Sequence, residues 1–215
     1  MTTTPQTRSA ASTTTDRYWA GRAGADGRWK VIPGLGPMEP PGEDLAALRS
    51  GLGLGAYEAP ALWPFYTSPA DGKVTPELEA EHVALSLYGL HQQSQRQPMH
   101  QQGISLGAAL RVLRHSGRFR EEAVDRRVAA AVNATSVPAL AYRLRGLITQ
   151  LRGIQQPLDY DRLLSDIKGW HHAESRRRVR RAWGLAYDAP SPHRPHGEDG
   201  NDGTSGAEDG VDGDR

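Results

Sequence analysis

The sequence predicts an all-α protein, and three observations support this prediction. Apolar residues recur at helical spacing through most of the second half of the chain, and no stretch alternates as a half-buried strand would. Residues that favour helix starts, such as Thr75-Pro76 and Ser136, precede the apolar stretches. Glycine follows several of them, as at Gly117 and Gly153, where helices commonly end.

The N-terminal part of the chain combines short helices with loops. Residues 1–15 are rich in threonine and serine, which predicts a disordered lead. Residues 16–20 are expected to form a short helix whose two aromatic side chains are buried. Residues 23–41 are dense in glycine and proline, which predicts a loop. Residues 43–49 are expected to be helical.

The next segments lead to a longer helix. The glycines at 51–55 predict a turn, since a dinucleotide-binding loop needs a strand before it and a helix after it. Residues 62–66, LWPFY, are predicted to form a hydrophobic plug. A helix is expected from Thr75 to about Gln93, with one buried stripe formed by Val83, Leu87 and Leu90. The polar residues 92–102 predict an exposed linker.

Residues 103–187 are predicted to form a compact group of helices. These helices are expected to begin near Ser105, Arg120, Ser136, Asp159 and Trp170. The domain organisation that follows has an N-terminal helical lobe at 16–93, a linker at 94–102 and a C-terminal helical lobe at 103–187. From residue 188 to 215 we expect a disordered acidic tail, because residues 189–215 contain seven carboxylates and two arginines.

The charge is therefore unevenly distributed. The whole chain has a formal net charge of +1. Residues 189–215 account for −5, so the remainder carries +1 − (−5) = +6. A basic body with an acidic tail favours a polyanionic partner.

Known enzyme motifs are missing from the sequence. It contains no cysteine, and it lacks a nucleophile elbow, a phosphate-binding loop and a zinc-protease motif. His82, His91 and His100 are nine residues apart, a spacing that does not place them on one helical face. We therefore predict a non-enzymatic protein without catalytic residues, metal or cofactor. No apolar run is long enough to cross a membrane, so a soluble cytoplasmic protein is expected.

Arginine is the residue type that points to a function. Residues 176–181 contain five arginines, and further arginines lie on the preceding helices. Planar guanidinium groups suit bidentate contacts with phosphate. Binding to a nucleic-acid backbone is the leading interpretation. A solvated face balanced by nearby acids and a surface for acidic proteins are the alternatives.

Several motifs also resemble a known family. GISLGAAL, the following SGR, the LRGL helix and W-x-x-x-E-S-R-R-R-V resemble the CasB family, the small subunit of the type I-E CRISPR surveillance complex Cascade. AALRSGLG at 46–53 and the LWPFY cluster resemble two N-terminal motifs of that family. The resemblance covers roughly residues 18 to 187, and the Gly/Pro-rich insertion at 24–41 and the acidic tail depart from it.

The resemblance implies a two-lobed helical protein without catalytic activity of its own. Its expected partners are CRISPR RNA, target DNA, the backbone subunits, the large PAM-recognising subunit and further copies of itself arranged head to tail. It is expected to stabilise the R-loop, including the displaced DNA strand, in antiviral defence. The expected nucleic-acid-binding residues are Arg49, Arg96, Arg111, Arg118, Arg143, Arg145, Arg176, Arg177, Arg178, Arg180 and Arg181.

Two other functions remain possible from the sequence. One is a sequence-specific repressor in which residues 105–132 form a helix-turn-helix. The other is a structural subunit whose arginines bind acidic protein partners.

Overall fold

The computed structural model describes residues 16–190, and these residues form an all-α fold as predicted. A hairpin of two short strands, β1 (Val31–Ile32) and β2 (Gly36–Pro37), precedes the helices, and a 3-10 helix spans Pro60–Phe65. The α-helices are α1 (Gly42–Arg49), α2 (Pro76–Gln92), α3 (Leu106–Arg114), α4 (Glu121–Val132), α5 (Val137–Gly153), α6 (Tyr160–Gly169) and α7 (Ala173–Asp188). None of the helices in this part of the chain combines the length and the apolar character that a membrane span requires.

Helix α2 lies at the centre of the molecule. The Thr75 hydroxyl accepts a hydrogen bond from the Leu78 amide and caps the helix, as predicted. From Ala80 to Gln92 every residue of α2 is buried, because α1, α5 and α6 all pack against it. The prediction of a single buried stripe therefore underestimated how much of the surface of α2 is buried. A helix surrounded by neighbours buries its whole circumference.

The second half of the chain follows the predicted helix starts. The side chains of Ser105, Ser136 and Asp159 cap α3, α5 and α6 by accepting hydrogen bonds from amides of the first turn. Helix α7 packs mainly on α3, and α4 packs on α5. A Cβ atom at Gly107 would overlap the backbone of Trp183, so this glycine allows α3 and α7 to approach closely.

The prediction of a helix at residues 16–20 is wrong. This segment forms turns closed by the hydrogen bond from the Gly21 amide to the Arg17 carbonyl. The aromatic side chain of Trp19 is nevertheless fully buried, and its Nε1 donates to Asp161 Oδ1 at 2.8 Å. The short segment is fixed by this tertiary contact, because four or five residues followed by glycine cannot sustain an isolated helix.

The polar segment after α2 is only partly exposed. Pro98, Met99 and His100 are buried, which corrects the prediction of an exposed linker. Backbone hydrogen bonds pair this segment with Leu158: the Leu158 amide donates to Met99 O, and the Gln101 amide donates to Leu158 O. The side chain of Gln92 also turns back to bond three backbone groups between residues 95 and 99. Side-chain contacts of this kind leave no periodic signal in the sequence.

The predicted plug at residues 62–66 is buried only in part. Leu62 is fully buried, whereas Trp63 is 47% exposed. The division into lobes at 16–93 and 103–187 stays a prediction; buried residues of both segments belong to one continuous core. The disordered lead at 1–15 and most of the acidic tail at 188–215 lie outside the described residues.

Candidate nucleic-acid interface

The excess of positive charge lies in the second half of the described chain. Residues 103–187 contain sixteen arginines and lysines and seven carboxylates. Residues 16–102 contain seven arginines and lysines and ten carboxylates. The helices from α3 to α7 therefore provide the basic surface, and the N-terminal half is slightly acidic.

Two of the five α7 arginines point inward. Arg176 Nη1 donates to the carbonyl of Thr135 at 2.8 Å, and Arg180 Nη2 donates to that of Ala134 at 2.9 Å. The Arg180 guanidinium also lies over the Trp170 ring, 5.5 Å from its centroid. These contacts fix α7 to the connection between α4 and α5, so part of each guanidinium is committed to the fold.

The other three α7 arginines point outward. Arg177 pairs with Glu174, and Arg178 donates to the hydroxyl of Ser175 at 2.9 Å; both partners are three residues earlier on the exposed face. Arg181 is exposed and forms no side-chain hydrogen bond or ion pair within residues 16–190. The Arg181 guanidinium is therefore uncommitted in the described part of the chain, and Arg177 and Arg178 keep N–H donors that these contacts do not use.

A half-buried carboxyl group, that of Asp166 on α6, contacts Trp183, the tryptophan on the core face of α7. Trp183 Nε1 donates to Asp166 Oδ2 at 2.7 Å. Burial raises the pKa of Asp166 to about 6, although this hydrogen bond and the charge of Arg162 act in the opposite direction.

A second group of arginines surrounds a depression at the C-terminal ends of α2 and α5. Arg118 Nη1 donates to the Gly153 carbonyl at 2.7 Å, and Arg152 Nη1 donates to Gln93 Oε1 at 2.9 Å and to the carbonyl of Leu90 at 3.3 Å. The arginines thus satisfy carbonyls that a helix end leaves free. The depression has a volume of about 610 Å³.

Arg96 borders a smaller hollow beside this depression. Ser94, Gln95 and Gln155 line both hollows. A guanidinium group has five N–H donors, and Arg118 uses one of them here. The structure therefore places Arg96 in a hollow that adjoins the depression lined by Arg118 and Arg152.

A third group lies on α5. Arg143 and Arg145 are exposed, and neither has an ion pair among the described residues. The Arg143 guanidinium lies 5.5 Å from the ring centroid of Tyr142, a side chain that is 73% exposed. Aromatic rings and arginines are the groups that bind single-stranded nucleic acid.

The remaining two predicted residues lie apart from these groups. Arg49 is half-buried at the end of α1. Arg111 Nη1 donates to the carbonyl of Ala189 at 3.2 Å and so holds the chain that leaves α7 against α3. Neither residue lines the hollows described above.

One cluster of potential metal ligands exists in the described part of the chain: His100, Asp159 and Asp161. Each has a structural partner: His100 Nδ1 accepts from the Tyr160 amide, Asp159 caps α6, and Asp161 accepts from Trp19. Burial lowers the pKa of His100, although both neighbouring carboxylates favour its charged form. Each of the three residues therefore has a structural role that accounts for its position.

Sequence reasoning missed Tyr142 and did not include Arg152 in the predicted interface. Tyr142 lies outside the apolar stripe of α5, and arginine follows it directly, which is a signal that the sequence contains. Arg152 carries no such signal, because its role depends on the end of α2 lying against the end of α5.

A family model and a solved structure both support one family for this chain. Residues 44–187 match the family described as CRISPR-associated protein Cse2. The crystal structure of CasB from Thermobifida fusca is 33% identical, with a TM-score of 0.55, and the match covers 69% of this chain and 85% of that one. A chain of a CRISPR RNA-guided surveillance complex shares the fold at 22% identity and a TM-score of 0.53, covering 67% of this chain and 80% of that one. The comparison with curated proteins gives no match.

Proposed function

Because the chain belongs to the Cse2 (CasB) family, the small subunit of type I-E Cascade, we propose that it holds nucleic acid within that complex without catalysing a reaction. Its bound polymer is the R-loop that forms when guide RNA pairs with target DNA, including the displaced DNA strand. In such a complex base pairing reads the sequence, so this subunit needs only to bind a backbone. We place this activity in the cytoplasm, in antiviral defence.

The observation that carries the proposal is the group of exposed arginines with uncommitted N–H donors. Arg177, Arg178 and Arg181 project from α7, and Arg143 and Arg145 project from α5. Maintaining so many like charges costs stability unless a polyanion compensates them. A basic face with an exposed aromatic ring is suited to binding a single strand. Recognition of a specific duplex site would instead need a helix that reads base edges in the major groove.

The uneven charge also supports association between copies. The half formed by residues 16–102 has more carboxylates than basic groups, and the half formed by residues 103–187 has the reverse. Copies placed head to tail would bring the acidic half of one against the basic half of the next. The backbone subunits and the large PAM-recognising subunit are the other partners in this proposal.

A reconstituted complex tests the proposal. Cascade assembled with this chain should hold the displaced strand of a matched target open, as measured by permanganate reactivity of unpaired thymines. A variant with Arg143, Arg145 and Arg181 changed to Gln should assemble normally but lose much of that reactivity.

The contrasting result concerns acidic protein partners. If the same variant fails to enter the complex, and nuclease treatment leaves the wild-type complex intact, then the arginines bind protein. That outcome would replace the nucleic-acid proposal with the structural one.

A further inference from the structure

A groove with mostly apolar walls lies between the glycine-rich turn at residues 51–56 and the helices α2 and α5. Its volume is about 290 Å³, close to the lower end of the range for small-molecule pockets, about 300–1,000 Å³. Most of the apolar part of the wall comes from Leu52, Leu54, Val83, Leu87, Pro138 and Ala141. The nucleic-acid contacts proposed above use Arg145 at the edge of this groove but leave its apolar interior without a role.

The turn that forms one wall is held in place by a buried histidine. His82 Nε2 donates to the carbonyls of Gly51 and Leu54 at 3.0 and 2.9 Å, and its Nδ1 accepts from the Tyr66 hydroxyl at 2.7 Å. The two carbonyl acceptors place the ring proton on Nε2, and burial lowers the pKa of His82. Gly53 has φ of +85°, which favours glycine. The groove is therefore built into the fold.

The opposite wall is one face of α5. Pro138, Ala141, Tyr142 and Arg145 lie at positions i, i+3, i+4 and i+7, so they share that face and line the groove. The exposed Tyr142 ring and the Arg145 guanidinium lie at its rim, and Arg143 contacts the ring from the next position. An apolar slot is thus bordered by an aromatic face and two cations.

The other polar groups of the groove are few. Ser86 is buried in its floor, and the Ser86 hydroxyl has no hydrogen-bond partner among the described residues. Glu79 is the carboxylate in the lining, and its Oε2 lies 3.4 Å from His171 Nε2. The positive charges of Arg143 and Arg145 therefore lack an acidic partner at the rim.

We propose that this groove takes one unstacked base of single-stranded DNA, with Tyr142 stacking on the base and Arg143 and Arg145 bonding the adjoining phosphates. The inference rests on the proposed function and adds a base-binding site to it. An aromatic face accepts any base, so the contact would hold the strand without reading its sequence. The two arginines favour a strand over an apolar protein side chain, because phosphates flank every base.

The test uses the full-length chain and a short oligothymidylate with one 2-aminopurine in its centre. Stacking on an aromatic ring quenches 2-aminopurine, so binding of the wild-type chain should lower the fluorescence. Tyr142→Phe should keep the quenching, whereas Tyr142→Ala should remove it and weaken binding at least about fivefold. Ala141→Leu, which fills the groove without removing a charge, should have the same effect as Tyr142→Ala. Leu35→Ala, which changes an exposed apolar residue of the hairpin connection, is the matched control.

An oligonucleotide with an abasic site in place of the reporter separates the two proposals. Equal wild-type affinity for the abasic and intact strands, with no effect of Tyr142→Ala or Ala141→Leu, would overturn the base site while leaving backbone binding by arginine in place. No binding of either strand by the wild-type chain would instead count against the proposed function itself.

Discussion

The division of the arginines into inward and outward sets predicts two different phenotypes. Among the outward-facing arginines, Arg143, Arg145 and Arg181 have no ion pair within residues 16–190, and together they are changed in the outward variant. Each phosphate contact to a single strand contributes about 0.7 to the slope of log affinity against log salt. Changing all three to Gln should therefore reduce the magnitude of that slope by about 2, with little change in stability.

The inward pair should behave in the opposite way. Arg176 and Arg180 donate to the backbone carbonyls of Thr135 and Ala134. Hydrogen bonds from charged groups contribute about 1.5–3 kcal/mol each, and partial exposure lowers this value, so Arg176→Gln with Arg180→Gln should cost about 2 kcal/mol of unfolding free energy. The salt slope should change little.

Two assays on the same variants measure both effects. Fluorescence anisotropy with a labelled single strand, repeated between about 50 and 200 mM salt, gives the slope, and urea unfolding gives the stability. The reasoning is refuted if the outward variant keeps the wild-type slope. It is equally refuted if the inward variant loses slope while its stability is unchanged.

Three further predictions concern stability. Asp166→Asn should keep the hydrogen bond from Trp183 and remove a carboxyl group whose pKa, about 6, lies above its ordinary value of 3.8. Because the folded protein binds that proton more tightly, wild-type stability falls as the pH rises from 3.8 to about 6, so urea unfolding should show a gain for the variant of about 1–3 kcal/mol at pH 7 and of at most about 0.5 kcal/mol at pH 4. Gly107→Ala should force α3 away from the backbone of Trp183 and lower the melting temperature by several degrees in calorimetry, and an unchanged value would mean that the two helices do not approach so closely. Glu81 forms an ion pair with the half-buried Arg17, so Glu81→Gln should weaken the counter-charge and lower the free energy of unfolding by about 2 kcal/mol. Equal denaturation midpoints for the two proteins would contradict this.

Helix boundaries and caps were the features that the sequence predicted best. The capping residues Thr75, Ser105, Ser136 and Asp159 act on amides within the next few positions, so their effect is visible locally. The burial of Met99 was not predictable in this way, because it depends on a backbone pairing with Leu158 across the fold.

The sequence predicted which residue type forms the candidate interface, but it predicted less well how those residues are arranged in space. The arginine run on α7 was identified from the sequence. The helical spacing of these arginines also indicates which of them face the core and which face outward. Arg176, Arg180 and Trp183 follow one another at i, i+4 and i+7 and so lie on the face that meets the core. The depression around Arg118 and Arg152 had no sequence signal, since it forms only where two helix ends meet.

The most direct test of the central claim is to recover the protein from its own cells under gentle conditions, by an N-terminal tag, and to identify the RNA and proteins that accompany it. Membership of Cascade predicts CRISPR-repeat RNA together with several other subunits in a fixed ratio. Recovery of the chain alone, or with chromosomal DNA enriched at one site, would contradict the account and favour the repressor hypothesis.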